Sequence, residues 1–444
     1  MAAMFVMTWA PTGFGAVSPE DAAKLGTTLT GVGAEKAGNK EGTIPPFTGG
    51  LAKLPANFKP GSGVYTDPFA GEKPLFSINA QNMAQYADKL TEGTKALMKK
   101  YPTYRIDIYK THRIAEYPDF VIKNTAKNAV KATTANGGLS VRDARGGIPF
   151  PIPKTGYEVM WNHLLRYEGT AIDAKWRSFL VDAGGRITMV QDMVVWFQFP
   201  YYEEEREGLN PKVYYQVYIT SYGPPRKAGE KMLLLDMIDP YENPRIVYQY
   251  LPGQRRVKLA PEVGFDTPDS GTAGSSCYDD NFLFIGSMER FEWKLIGKKE
   301  MYVPYNCYKA VWEAKREELY HPKHFNPDVV RWELHRVWVV EGTLRSGKRH
   351  VYSKRRYYID EDSWVATAGD IYDQNGTLYR AGYLFNNHSY DINASNPRFF
   401  SMYDLVTGIY SGICYMGEGG YVREVKPHPS HVFTPGYLTG AGIR

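Results

Sequence analysis

Residues 187–199 read ITMVQDMVVWFQF, and this stretch decides how we interpret the rest of the chain. Nearly every second position is apolar, which is the period of a β-strand with one buried face. Thirteen extended residues span roughly 43 Å, whereas strands in compact domains usually have about six residues. A strand of this length favours a barrel or a strongly curved sheet. The apolar positions are Ile187, Met189, Met193, Val195, Phe197 and Phe199.

Other segments carry the same strand pattern. They span residues 213–221, 245–257, 331–344 and 350–359, and a Gly-containing loop at 345–348 joins the last two as a hairpin. An Asn375-Gly376 turn predicts another hairpin downstream. Helical periodicity upstream predicts a helix from Asn79 to Pro102, a second over 120–133 and a third over 157–167. The fold is therefore expected to be mostly β with packed helices (α+β), with an antiparallel meander as its centre.

Composition excludes several classes of protein. The chain has 444 residues, of which 43% are hydrophobic and 14% aromatic, and such a composition excludes global disorder. A net charge of +5 is too small for its length to indicate nucleic-acid binding. Basic residues do cluster between 345 and 356, where we expect a solvated sheet face, with a phosphate or lipid-headgroup site as the alternative.

The first residues predict an exported protein. Residues 1–16 combine an apolar run with small residues, as in a secretory signal, although the basic residues that usually precede the run are missing. The alternative is an apolar start without structure. We expect residues 17–65 to be an extended arm on the surface and residues 66–444 to be one domain. The segment 266–276 is predicted to be a flexible surface loop.

Motifs of enzyme chemistry are missing from the sequence. It contains no G-x-S-x-G, H-E-x-x-H or phosphate-binding loop. The pairs His321/His324 and His428/His431 lie beside prolines and are predicted to be exposed loop residues, and residues 360–362 a solvated acidic turn. Arg331, Glu333 and His335 share a strand face. This row could be a catalytic cluster, but we expect instead that it forms ion pairs with a neighbouring strand such as 350–358. We therefore predict no catalytic residues, metal or cofactor. The three cysteines leave one disulfide possible.

Several motifs together resemble one family of Gram-negative exported proteins, the domain-of-unknown-function family DUF1329. They are YLPGQRRVKLAPEVGFDTP at 250–268, FEWKLIGKKEMYVPYN at 291–306, residues 331–364, DIYDQNG at 370–376 and the segment 18–39. The resemblance implies a half-open antiparallel β-barrel of the LolA/LolB type, which wraps helices and an apolar cavity. It also implies a periplasmic location, with RND-type exporters and FadL-like outer-membrane proteins as partners. It implies no catalytic residues.

The residues and the resemblance lead to the same hypothesis, a carrier for a lipid or other hydrophobic molecule. Strand parity selects a set of cavity-facing candidates, with Arg336 near a polar head, although a shift of one residue would exchange the faces. An exported hydrolase acting on a glycan or ester is the alternative, and a ligand-free envelope scaffold is the third possibility. The candidates are Met193, Phe197, Phe199, Tyr215, Val217, Ile219, Trp332, Leu334, Arg336 and Trp338.

Overall fold

The computed structural model describes residues 15–204 and 209–440. The predicted signal segment lies outside the described residues except for its last two. Gly15, the first described residue, pairs with Thr133 of the strand 133–135 through an isolated β-bridge.

Twenty strands are present in the described residues. The first ten are β1 Phe76–Ile78, β2 Ile106–Ile108, β3 Thr133–Ala135, β4 Ser140–Arg142, β5 Ala171–Val181, β6 Ile187–Gln198, β7 Val213–Gly223, β8 Lys231–Met237, β9 Ile246–Leu251 and β10 Arg256–Leu259. The others are β11 Phe291–Pro304, β12 Arg331–Leu344, β13 Tyr352–Asp360, β14 Ala366–Asp373, β15 Leu378–Leu384, β16 His388–Ser389, β17 Ala394–Ser395, β18 Phe400–Asp404, β19 Tyr410–Tyr415 and β20 Tyr421–Glu424.

Sixteen of these strands form one sheet. Its order is β1-β2-β12-β13-β14-β15-β18-β19-β5-β6-β7-β8-β9-β10, with β11 paired to β12 and β20 paired to β5. Every pairing is antiparallel except the short one between β2 and β12. The path begins at β1 and ends at β10, so the sheet is not closed. The predicted mostly-β, open and antiparallel architecture with packed helices is confirmed.

The helices are short and lie against this sheet. They are α1 Pro19–Ala22, α2 Glu92–Lys100, α3 Asp119–Ala129, α4 Gly156–Leu164, α5 Arg316–Leu319 and α6 Pro435–Gly440. The single helix predicted from Asn79 to Pro102 is wrong, since Leu90 is extended and separates a 3₁₀ helix, Met83–Lys89, from α2. Thr91 explains the break because its hydroxyl accepts the Thr94 N–H at 3.0 Å and caps a new helix.

The N-terminal arm, residues 17–65, is packed more deeply than a surface arm. Val32 and Ile44 are buried, and the Val32 carbonyl accepts a hydrogen bond from the Trp364 indole at 3.0 Å. Arg113 donates to the Glu35 carbonyl at 2.6 Å. Arg336 of β12 also donates to the Ala37 carbonyl at 2.9 Å, so the arm lies against part of β12 and the turn that follows β13.

The C-terminal residues cover the outer face of the strands β6 to β9. Val432, Phe433 and Leu438 form a second apolar cluster with Tyr218 and Leu233. Trp196 packs at its edge, which explains why β6 carries apolar residues on both faces. No helix in the described ranges is long and apolar enough to cross a membrane.

Candidate functional site

A cavity of about 140 Å³ lies between the inner face of β5 to β9 and residues 260–290. We call residues 260–290, which connect β10 to β11, the crossing segment. Most of the lining is apolar, with polar groups concentrated near the β7–β8 hairpin. The apolar lining comprises Trp176, Met193, Val195, Phe197, Tyr215, Val217, Ile219, Met232, Leu234, Tyr250, Leu251, Val263, Tyr278, Phe282, Ile285, Ile413 and Cys414.

The cavity wall is made by cross-strand neighbours in register. Phe197 of β6 pairs with Val217 of β7, and Val217 pairs with Leu234 of β8. Ile219 pairs with Val195 of β6 and with Met232 of β8, and these three residues form a second row. Because residues two apart share a face of a sheet, these rows place their side chains on the same side.

The crossing segment forms the opposite wall. Its residues 266–276 are not the flexible surface loop that the sequence predicts, because Asp269, Thr272 and Ser276 are buried. Asp269 accepts the Gly271 N–H at 2.6 Å and the Asn281 amide at 3.1 Å. Backbone bonds within the loop, such as those from Asp269 N–H to the Ser276 carbonyl and from Gly274 N–H to the Asp269 carbonyl, both 2.9 Å, pair further polar groups. The loop can therefore lie against apolar side chains.

Buried ion pairs anchor the crossing segment to the sheet. Arg355 of β13 donates to both carboxylate oxygens of Asp279 at 2.8 Å, and Tyr352 donates to Asp280 at 2.7 Å. Burial raises the pKa of Asp279, but Arg355 and His350 outweigh that effect and hold the pKa below its usual range. The solvated basic face predicted for residues 345–356 is therefore wrong at Arg355, which is fully buried.

Five of the ten predicted cavity residues lie in the cavity wall: Met193, Phe197, Tyr215, Val217 and Ile219. Phe199 is buried just beyond the wall, with its ring 5.6 Å from that of Tyr215. Sequence reasoning missed the contribution of the crossing segment, because a loop has no periodicity to indicate which side chains point inward. It also missed Arg245 and Gln249, polar members of the lining on or beside β9.

The four predicted residues on β12 lie outside this cavity. Trp332 packs on Tyr383 at 5.4 Å between ring centres, and Leu334 is buried in the core. Arg336 donates to the Ala37 carbonyl at 2.9 Å, and Trp338 stacks on Trp364. The N-terminal arm contacts Arg336 and Trp364, whereas Trp332 borders a space of only about 20 Å³ beside Phe325 and Tyr403. The parity of β12 therefore predicts burial but not a cavity that holds a ligand.

A buried network of charges follows β12. Glu333 accepts hydrogen bonds from Arg331 at 2.5 Å, from Asn306 at 3.0 Å and from His335 at 3.0 Å. His335 lies 3.6 Å from Asp360 on its other side. Burial opposes the charged imidazole, but Asp360 and Glu333 outweigh it and raise the pKa of His335 to about 9. The expected ion pairing with the strand that follows is met at His335, which contacts Asp360 at the end of β13, whereas the end of β12 at Arg331 and Glu333 pairs with β2 and β11.

Residues 360–362 are not a solvated turn. Asp360, Glu361 and Asp362 are all buried. Arg113 contacts Asp362 through two hydrogen bonds of 2.7 and 2.8 Å, and Lys298 contacts Glu361 at 2.7 Å. Each carboxylate is thus bound by a basic group of the protein itself, so the acidic corner is a structural junction between the arm and β13.

Two sets of side chains in the described residues have donor atoms close enough to share a metal ion. One consists of Cys277, Asp279 and Asp280, and the other of His335, Asp360 and Asp362. In both sets, arginine already binds a carboxylate, Arg355 in the first and Arg113 in the second. A cation entering either set has to displace a guanidinium, so the arrangement fits ion pairs better than metal coordination.

One of the four loop histidines and all three cysteines are buried. The prediction of exposed loop histidines is wrong for His324, which is buried and bonds Thr103 at 2.8 Å. The three cysteines, Cys277, Cys307 and Cys414, are free thiols. Burial raises the pKa of each thiol, which lowers its reactivity.

Comparisons with known proteins identify the family. The chain is 38% identical over 438 residues to the uncharacterized protein PA3922 of Pseudomonas aeruginosa, covering 97% of this chain and 95% of that protein. Among solved structures it is similar to a Vibrio parahaemolyticus domain with a proposed role in outer membrane lipoprotein sorting (16% identity, 64% of this chain, 97% of that chain, TM-score 0.44). It is also similar to a DUF1329 family protein of Desulfovibrio piger (12% identity, 61% of this chain, 92% of that chain, TM-score 0.42). Residues 77–439 match the family described as "Protein of unknown function (DUF1329)". The chain therefore belongs to the DUF1329 family.

Proposed function

We propose that this protein binds a hydrophobic molecule in the cavity and carries it between membranes of a Gram-negative envelope. The observation that supports the proposal is the apolar cavity between β5–β9 and the crossing segment. A concave apolar site with a few polar groups is typical of small-molecule binding. Each buried methylene of a ligand contributes about 0.8 kcal/mol without needing precise polar contacts.

The size of the cavity restricts what fits in this conformation. An engineered protein cavity of about 150 Å³ with an apolar lining binds benzene, and the cavity here has about 140 Å³. A longer acyl chain therefore requires the crossing segment to move away from the sheet. At the β7–β8 hairpin, Lys227 donates to the Ser270 carbonyl and links the two walls. We infer that ligands larger than one ring enter by opening this side.

The proposal also includes a periplasmic location and two transport partners. Both come from the family resemblance, which implies an RND-type exporter in the inner membrane and a FadL-like protein in the outer membrane. Affinity purification of the tagged protein from detergent-solubilised envelopes tests the partners. Recovery of both membrane proteins in stoichiometric amounts supports them, and recovery of neither contradicts them.

Mass spectrometry of organic extracts tests the carrier function directly. We expect one hydrophobic compound in about equimolar amount in extracts of periplasmically expressed protein. Leu234 lies in the cavity wall next to its cross-strand partner Val217. Leu234→Trp therefore fills the cavity and should abolish binding of the compound. Thr188→Trp adds the same side chain at an exposed position of β6 and should leave it unchanged.

The same preparation separates the other functions. A clean extract, together with failure of a neutral apolar fluorophore to bind, contradicts the carrier and favours the scaffold. Hydrolysis of glycoside or ester substrates that is lost on cavity filling supports the hydrolase. Equal ligand content in the wild type and Leu234→Trp shows that the compound binds elsewhere.

A further inference from the structure

The two ends of the cavity differ in chemistry. Near the β7–β8 hairpin the lining includes Gln191, Ser221, Lys227 and Glu230. The opposite end lies about six residues from Ser221 along β7, where Tyr215 pairs with Asp236 of β8. We call it the arginine end, because Arg245 lines the cavity there. The apolar rows of β6, β7 and β8 lie between the two ends.

Arg245 keeps part of its guanidinium available to the cavity. Its Nε and Nη2 donate to the two oxygens of Asp236 at 2.6 and 2.8 Å. Within the described part of the chain, neither Nη1 of Arg245 nor the hydroxyl of Tyr215 hydrogen-bonds another residue. The Arg245 side chain is 14% exposed although it lies inside the fold. Two hydrogen-bond donors on cavity-lining residues are thus left for a ligand.

A second buried arginine lies directly behind this wall. Arg398 is 1% exposed, and its guanidinium lies 4.1 Å from the ring centre of Phe197 and 5.4 Å from that of Phe282, both in the cavity lining. It shares the carboxylate of Glu168 with Arg166, which contacts the same group at 2.5 Å. Nε of Arg398 is buried without a hydrogen-bond partner among the described residues.

The charges at the arginine end do not balance. Three guanidinium groups, those of Arg166, Arg245 and Arg398, are accompanied by two carboxylates, those of Glu168 and Asp236. A buried charge without a counter-charge is costly, because the low-dielectric interior replaces its hydration poorly. An anion at this end would offset the excess and would gain a charge-assisted hydrogen bond from Arg245.

We propose that the ligand is an amphiphile with one anionic group, which lies at the arginine end against Arg245 and Tyr215, while its apolar body contacts Val217, Ile219 and Met193. This inference rests on the proposed carrier function and specifies its substrate class. A carboxylate and a sulfate or phosphate ester share the required chemistry, so the headgroup is left to experiment.

Competition among ligands of equal chain length tests the charge. Octanoate, octyl sulfate, octanol and octylamine are titrated against protein loaded with the neutral fluorophore N-phenyl-1-naphthylamine at low salt and neutral pH. We expect at least one of the two anions to bind ten times or more tighter than octanol, and octylamine to bind more weakly than octanol. The tighter of the two anions identifies the headgroup.

A paired substitution tests the position of the anion. Arg245→Gln with Asp236→Asn removes both charges and leaves no orphaned carboxylate, so the fold is preserved better than by changing Arg245 alone. We expect the anion preference to fall to threefold or less, with octanol affinity unchanged. Arg177→Gln with Asp192→Asn is the matched control, because this ion pair of 3.3 Å joins β5 and β6 outside the cavity.

The outcomes separate the inference from the function on which it rests. Equal affinities of octanol and both anions in the wild type overturn the inference and leave the carrier function intact. The same conclusion follows if the Arg245/Asp236 variant keeps its preference. Failure of the fluorophore and all four ligands to bind overturns the carrier function as well.

Discussion

Strands β6 and β12 have similar sequences in one respect, a long row of apolar residues on one face, and yet they lie in different surroundings. The row on β6 forms the wall of a cavity with Met193 and Phe197. In the corresponding row on β12, Trp332 and Leu334 are buried, and the space beside Trp332 measures only about 20 Å³. The difference lies in what covers each region. The crossing segment leaves a gap over β6, whereas the N-terminal arm contacts Arg336 and the ring of Tyr383 packs on Trp332 over β12. Apolar periodicity therefore indicates which face is buried but not whether a space remains.

The two regions also differ in their buried charges. Around β12, Glu333 and Asp360 enclose the His335 imidazole. The acids of this network are matched by Arg331, Arg113 and Lys298. At the arginine end of the cavity, cationic groups exceed anionic ones. A balanced network is suited to holding parts of the protein together, whereas an unbalanced one beside a cavity is suited to a charged ligand.

The largest expected effect comes from breaking the β12 network. Glu333→Gln removes the charge between Arg331 and His335, both buried, and should lower the free energy of unfolding by about 3–5 kcal/mol. Urea denaturation measures it. Glu341→Gln is the control, because the Glu341–Arg356 pair of 2.6 Å is partly exposed and should contribute less than about 1 kcal/mol. Fluorophore binding by the folded fraction should stay unchanged, and a loss of binding would contradict the independence of the two regions.

A smaller effect is expected from pH. The pKa of His335 is about 9 in the folded protein and 6.5 in the unfolded chain. Its contribution to stability is therefore complete below pH 6.5 and is lost as the pH rises through 9. The loss amounts to about 3 kcal/mol by linkage. Urea midpoints at pH 6 and 9.5 should differ more in the wild type than in His335→Gln, and equal differences would show that another group titrates.

The smallest effect on stability is expected at the cavity edge. Lys227→Met removes the bond to the Ser270 carbonyl and should change the free energy of unfolding by less than about 1 kcal/mol, because an exposed hydrogen bond contributes little. Release of the fluorophore should nevertheless become several times faster, which stopped-flow mixing measures. Lys258→Met on β10 breaks an exposed pair with Glu262 and should leave the release rate unaltered. If both variants release at the wild-type rate, the hairpin side is not the entrance.

The sequence by itself determined the class of fold, the long strands and the turns between them. Strand β6 was predicted as 187–199 and observed as Ile187–Gln198, and strand β12 was predicted and observed as 331–344. These predictions succeed because alternation and turn residues are local signals. Alternation also grouped Tyr215 with Val217 on one face of β7, and these side chains line the cavity together with Phe197 of β6.

Only the tertiary structure decided where the cavity lies and which charges surround it. Asp269 and Phe282 come from a segment without periodicity, and their burial depends on anchors at Arg355 and Tyr352, more than seventy residues away. Residues 360–362 look solvated in the sequence because three acids in a row usually are, yet Arg113 and Lys298 reach them from distant segments. Long-range pairing of charges and the space left between packed elements are properties of the assembled fold, and a local pattern contains neither.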